Sequence, residues 1–144
     1  MTIELPAFYG TFLCSTGIKQ YSLVDITSTG TSPNKVSKLV TTVSTKGLAI
    51  GVMVSSGTTN STVRKNQTVQ FLGITKVRSG SNAFVAGDLV KVSTATAGAA
   101  DRIAKGATSA QHYAMGVAVG PSQSTKSDGT ELLPFLLTQP GRID

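Results

Sequence analysis

His112 and Cys14 are the single histidine and the single cysteine of the chain. An imidazole beside a thiol could make a base and a nucleophile. Such a pair works only within hydrogen-bond reach, and nothing in the spacing of Cys14 and His112 brings them together. The bland readings are stronger: His112, just before Tyr113, suits a cap or surface position, and Cys14, next to Leu13, suits a small buried apolar group. The acids are Glu4, Asp25, Asp88, Asp101, Asp128, Glu131 and Asp144. No subset has the spacing of a calcium loop, and one Cys with one His excludes a structural zinc site in practice. Neither a phosphate-cradling loop nor a dinucleotide fingerprint occurs. The glycines from Gly47 to Gly57 fall in a strand-like run, where they cannot form a phosphate cradle. The expectation is a protein that is not an enzyme, with no cofactor and no metal.

With no catalytic constellation, the informative feature is repetition. Ser22-Leu23-Val24-Asp25-Ile26-Thr27 is echoed by Asp88-Leu89-Val90-Lys91-Val92-Ser93. Gly51-Val52-Met53-Val54 is echoed by Gly116-Val117-Ala118-Val119, and Val69-Gln70-Phe71-Leu72 by Leu133-Pro134-Phe135-Leu136. Near-constant spacing between echoed blocks is the mark of a duplicated unit with small loop changes. The repeated material is short and apolar, joined by Gly, Ser and Thr, which points to scaffold and binding rather than catalysis.

The blocks read as strands. Thr and Val favour a pleated surface, and Ser and Gly favour the turns. Strands are expected at Thr11–Ser15, Tyr21–Thr27 and Thr68–Ile74, the last running on toward Val77, and at Leu89–Ser93. Leu48–Val54 and Tyr113–Val119 are continuous apolar runs, expected to be buried on both faces, with central glycines that mark a bulge or a close backbone approach. Leu132–Thr138 closes the set. Pro134 demotes it toward an edge, and Pro140-Gly141 suggests a last turn before an exposed tail. Val36–Thr45 fits helical spacing, yet it is rich in β-branched residues, and the reading leans to a strand. Thr29–Asn34, Ser55–Arg64 and Gly120–Gly129 are loops, where the two halves differ most. Residues 1–10 read as an extended arm, because Pro6 holds its predecessor extended. An edge strand folded back on its own domain is the equal alternative.

The expected fold is therefore mainly β with little helix: a small β-sandwich or barrel built from two similar β units, with an extended N-terminal arm. The divisions are 1–10 for the arm, 11–77 for the first unit and 78–144 for the second, with one compact domain as the alternative. A chain of 144 residues that is 40% hydrophobic and 14% charged is expected to fold.

The formal charge is +6, which can draw a chain to nucleic acid or to an acidic surface. The basic residues are scattered, however, and Trp is absent, so stacking platforms for single strands are scarce. Nucleic acid is not the expected partner. No apolar stretch is long enough to span a membrane. The N-terminus lacks a basic start followed by an apolar run, so no secretory signal is read and synthesis in the cytoplasm is expected. Asn60-Ser61-Thr62 and Asn66-Gln67-Thr68 match the glycosylation pattern by chance in a Ser/Thr-rich chain.

Gly87-Asp88-Leu89-Val90-Lys91-Val92, a Gly-bearing spacer, Gly116-Val117-Ala118-Val119 and the closing run Leu132–Leu137 with Pro140-Gly141 together resemble the decoration, or cement, proteins of tailed-bacteriophage heads. The likeness covers most of residues 75–143, and residues 21–74 carry it more loosely through the repeat. It implies a β-rich structural virion protein on the outer capsid surface, often a trimer. Such a protein binds the major capsid protein, bridges neighbouring capsomers and resists the pressure of packaged DNA. The arm residues Leu5, Pro6, Phe8 and Tyr9 are the candidate capsid contacts, by addition to an exposed sheet edge. Another virion β module (tail-tube, fibre-base or carbohydrate-binding) is the alternative, with a basic nucleic-acid-binding barrel behind it.

Overall fold

The computed structural model describes residues 7–14, 18–26, 35–38, 49–55, 65–80, 83–103, 112–121, 123–124 and 131–143. Every regular element among them is a strand, as the composition leads one to expect: β1 (Phe8–Cys14), β2 (Leu23–Ile26), β3 (Lys35–Lys38), β4 (Gly51–Met53), β5 (Lys65–Arg78), β6 (Leu89–Val92), β7 (Ala100–Arg102), β8 (His112–Ala118), β9 (Gln123–Ser124) and β10 (Glu131–Ile143). The segment that could have been helical begins as strand β3, in line with its β-branched content; residues 39–45 lie outside the described residues. Residues 8–10, expected in the arm, are the start of β1 and pair with β5. Residues 1–6 lie outside the described residues, as do 27–34, 56–64 and 125–130 of the three divergent loops.

The strands close into two rings that share β5. In the first, β1 pairs with β3, β3 with β2, β2 with β4, β4 with β5, and β5 returns to β1. In the second, the far half of β5 pairs with β10, followed by β8, β6 and β7. A bridge from Ser79 to Ala100 then brings β7 back to the end of β5. A closed or nearly closed sheet leaves few free strand edges, which suits a short-stranded protein.

β5 can serve both rings because it kinks at Gly73. Leu72 is its last residue paired with β1, opposite Phe8, and Gly73 its first paired with β10, opposite Leu137. Gly73 has φ = 100°, a conformation open to glycine and strained for a residue with a Cβ. The kink is held by the buried side chain of Gln70, which is 2% exposed. Its Nε2 donates to the carbonyls of Leu72 and Ile74, both at 3.0 Å. Gln70→Leu removes both bonds from a buried site and is expected to cost about 1–3 kcal/mol, read as a lower urea midpoint at unchanged slope.

The duplication extends to individual hydrogen bonds. Tyr21 N–H donates to the Met53 carbonyl at 2.7 Å, as Gly87 does to Ala118 at 2.7 Å. Met53 donates to Ser22 at 3.0 Å, as Ala118 does to Asp88 at 2.8 Å. Ser22 donates to Lys19 and Asp88 to Val85, each at 3.2 Å. Val54 donates to Thr68 and Val119 to Pro134, each at 3.0 Å. Tyr21 (φ 63°) and Gly87 (φ 90°) even share a left-handed backbone. Leu23 lies opposite Val52 as Leu89 lies opposite Val117, and Val24 opposite Gly51 as Val90 opposite Gly116.

Two sequence expectations are refined by this matching. First, the bonds from Val54 and Val119 equate Thr68 with Pro134. Phe135 is therefore the counterpart of Val69, and Leu137 that of Phe71. The direct match of Phe71 with Phe135 is out by two residues, a slip that keeps every side chain on its own face and so hides in the sequence pattern. Second, the same matching makes Gly73 the counterpart of Phe8, so the strand that corresponds to β1 in the second ring is the far part of β5.

Two proline expectations are corrected. β10 is central, lying between β5 and β8. Pro134 is tolerated because its carbonyl, and hence its ring nitrogen, faces Val119, just past the end of β8. The chain does not turn away at Pro140-Gly141 either. A bulge between Leu137 and Gly141 lets β10 continue, with Gly141, Arg142 and Ile143 opposite Ala114, Tyr113 and His112.

Two apolar clusters fill the body. Ile18, Val24, Met53 and Val69 line the inside of the first ring, with Phe12, Ile50 and Phe71 packed against them. The second ring encloses Val77, Phe84, Val90, Ala100, Met115, Leu133, Phe135 and Leu137, and this cluster also takes in Leu23, Ala49 and Val52 of the first unit. The two units therefore share a core. Two backbone bonds tie them further: Leu23 N–H to the Gly98 carbonyl at 2.8 Å, and Arg78 N–H to the Tyr21 carbonyl at 2.9 Å.

Candidate interaction surface

The residues with catalytic potential are not assembled. Cys14 ends β1, opposite Lys65 and Val36. His112 opens β8, opposite Ile143. These strands belong to different rings and are not neighbours in the sheet. Asp88 has a structural role: its Oδ2 accepts the Val85 N–H at 2.9 Å, fixing the turn before β6, and lies 3.8 Å from Arg102 Nη1. Asp101 is buried, and its Oδ1 occupies the space where a Cβ on Gly80 would stand. Among the described residues no three His, Cys, Asp or Glu groups converge as metal ligands.

What the described surface offers is apolar contact. Phe8 and Tyr9, at the start of β1, are 56% and 55% exposed. Their backbones are held by β5, with Phe8 opposite Leu72 and Tyr9 opposite Gln70, so two aromatic side chains stand on a fixed strand. Leu5 and Pro6, the other two candidate contacts, lie outside the described residues. Residues 8 and 9 already belong to the protein's own sheet, so any strand addition to a partner falls to the residues before them. Phe8 and Tyr9 contribute side-chain burial instead.

A second apolar feature needs the register to be seen. Ile74 of β5 lies opposite Leu136 of β10, Leu136 opposite Val117 of β8, and Val117 opposite Leu89 of β6. Directly opposed residues share a face, so these four make one apolar row across the outside of the second ring. Ile74 is 52% exposed and Leu89 37%, while Leu136 and Val117 are half-buried. Val119, one pleat along β8, is exposed as well. The expectation that Tyr113–Val119 and Leu48–Val54 are buried on both faces is therefore corrected: Gly51–Met53 is fully buried, but Ile50 and Val54 on either side of it are half-buried. The row was not read from the sequence because its members sit in four separate segments and meet only through pairing.

No known family model matches the chain, and no curated protein matches it. Among the described residues, fold and surface together define a body built of strands that presents strand-mounted apolar side chains.

Proposed function

We propose that this is a structural virion protein: a decoration, or cement, protein that binds the outer surface of a tailed-phage head and bridges neighbouring capsomers. The observation that carries the reading is the exposed Phe8–Tyr9 pair on a two-ring β body. The resemblance at Gly87–Val92, Gly116–Val119 and Leu132–Leu137 supplies the phage context. The partner is the major capsid protein, and the protein acts by burying apolar area over many identical sites. A fully buried aromatic side chain contributes about 2–3 kcal/mol, and many copies on one shell add their modest individual contacts. A net charge of +6 favours docking on an acidic shell. The protein is placed on the outside of the virion, and no catalytic step is part of the reading.

The test is to mix purified protein with undecorated heads and measure bound copies per head. Saturable binding is expected. Phe8→Asp and Tyr9→Asp each weaken it at least about tenfold and leave the fold intact, because each residue is more than half exposed. Heads that take up no protein at any concentration would overturn the reading. Binding that ignores both substitutions would move the contact away from β1.

A further inference from the structure

We propose that the outer row Ile74–Leu136–Val117–Leu89 is a docking surface for a second copy of this chain, and that it binds the half-buried Phe12–Ile50–Phe71 patch of that copy's first ring. The inference comes from the internal repeat and does not depend on capsid binding.

Each member of the row has a counterpart in the first unit. Matched bond by bond, Leu89 corresponds to Leu23, Val117 to Val52, Leu136 to Gln70 and Ile74 to Tyr9. Leu23, Val52 and Gln70 also form a line of opposed residues on the outside of their ring. Their exposure differs sharply from that of the second row. Leu23 and Val52 are 0% exposed and Gln70 is 2% exposed. Leu23 and Val52 are covered by the second unit, as members of the cluster that holds Val77, Phe84, Val90 and Leu137. The same surface position thus serves as an intramolecular interface in one unit and stands open in the next.

The surface that should receive the open row follows from the same matching. Within the chain, Leu23 and Val52 complete the interior of the second ring, and there Val77, Met115 and Leu137 are buried. Their counterparts in the first ring are Phe12, Ile50 and Phe71, which remain only partly buried. The Phe12 and Phe71 rings meet edge to face at 5.6 Å, and with Ile50 they make an apolar patch that is only half-buried. Placing the row of one copy against the Phe12–Ile50–Phe71 patch of another repeats between chains the contact already made within each chain. Such a contact is head-to-tail and leads to a closed ring or an open filament.

Sedimentation velocity on the full chain over a concentration series tests this. Concentration-dependent association is expected. The double variant Leu89→Lys/Val117→Lys, at the counterparts of Leu23 and Val52, which are both 0% exposed, should weaken it at least about a hundredfold, since two charges would be desolvated in the contact. A photo-crosslinking residue at position 89, in chains mixed with an isotope-labelled copy, should join to labelled peptides that carry Phe12 or Phe71. A protein that stays monomeric up to about 100 μM, a concentration at which a micromolar contact is formed, overturns the proposal. So does association that the double variant leaves unchanged, or inter-copy crosslinks that land anywhere other than the Phe12 and Phe71 peptides.

Discussion

Phe135→Ala should destabilise the protein by about 3–5 kcal/mol, and Phe71→Ala by clearly less, about 1–2 kcal/mol. The two phenylalanines look like twins in the sequence, each in a closing strand and each followed by a leucine. Their positions differ. Phe135 is 0% exposed, in the shared cluster with Leu133, Leu137 and Val77, and its removal leaves a cavity that β5 and β8 cannot close. Phe71 is only partly buried in the first ring, and a smaller side chain there loses contact area without enclosing a void. Urea denaturation of both variants separates the cases. Equal losses would restore Phe71 and Phe135 as counterparts and undo the equation of Phe135 with Val69.

Gly116→Ala is the second large effect, with an expected loss of at least about 3 kcal/mol, at the upper end for overpacking a core. A Cβ on Gly116 would overlap the Leu136 carbonyl oxygen and stand 3.0 Å from the Phe135 ring. The obstacle is backbone in the neighbouring strand, so relief requires β8 and β10 to part. Gly51 is the matched case: its Cβ would overlap the Gln70 carbonyl oxygen and lie 2.9 Å from Val69 Cγ1. Gln70 and Leu136 are themselves counterparts, so one close approach has been kept twice. Gly87→Ala is the control. It meets open space, and its cost is confined to its positive φ, about 1–2 kcal/mol. Thermal melts should rank Gly116→Ala and Gly51→Ala well below Gly87→Ala. A Gly116→Ala protein that melts like wild type would show that the strands are not so closely packed there.

Local patterns carried the strand positions and the duplication. Leu23–Ile26 and Leu89–Val92 announce themselves by a turn followed by alternating branched residues, and Gly51 and Gly116 by standing inside apolar runs. These signals are contained within a few residues of chain. What could not be read depends on which strands meet. A two-residue slip between the closing strands preserves the facing of every side chain, so it left the phenylalanines apparently aligned. The continuity of β5 across both units rests on Gly73 and on the buried Gln70 amide, and neither looks unusual within Thr68–Val77. Pro134 sits in a central strand because β8 happens to end opposite it. Of the candidate contacts, Phe8 and Tyr9 were legible as apolar residues of an extended N-terminal segment, but their pairing with β5 was only one of two equal readings. The row from Ile74 to Leu89 was not, because its four members come together only through three separate strand pairings.

Electron cryomicroscopy of heads assembled without this protein, imaged before and after its addition, is the most direct test of the functional proposal. Added density on the outer shell, two-lobed and repeated at equivalent positions between capsomers, is the expected result. Heads that look the same with and without the protein, or density that gathers only at the tail or the interior, would contradict it.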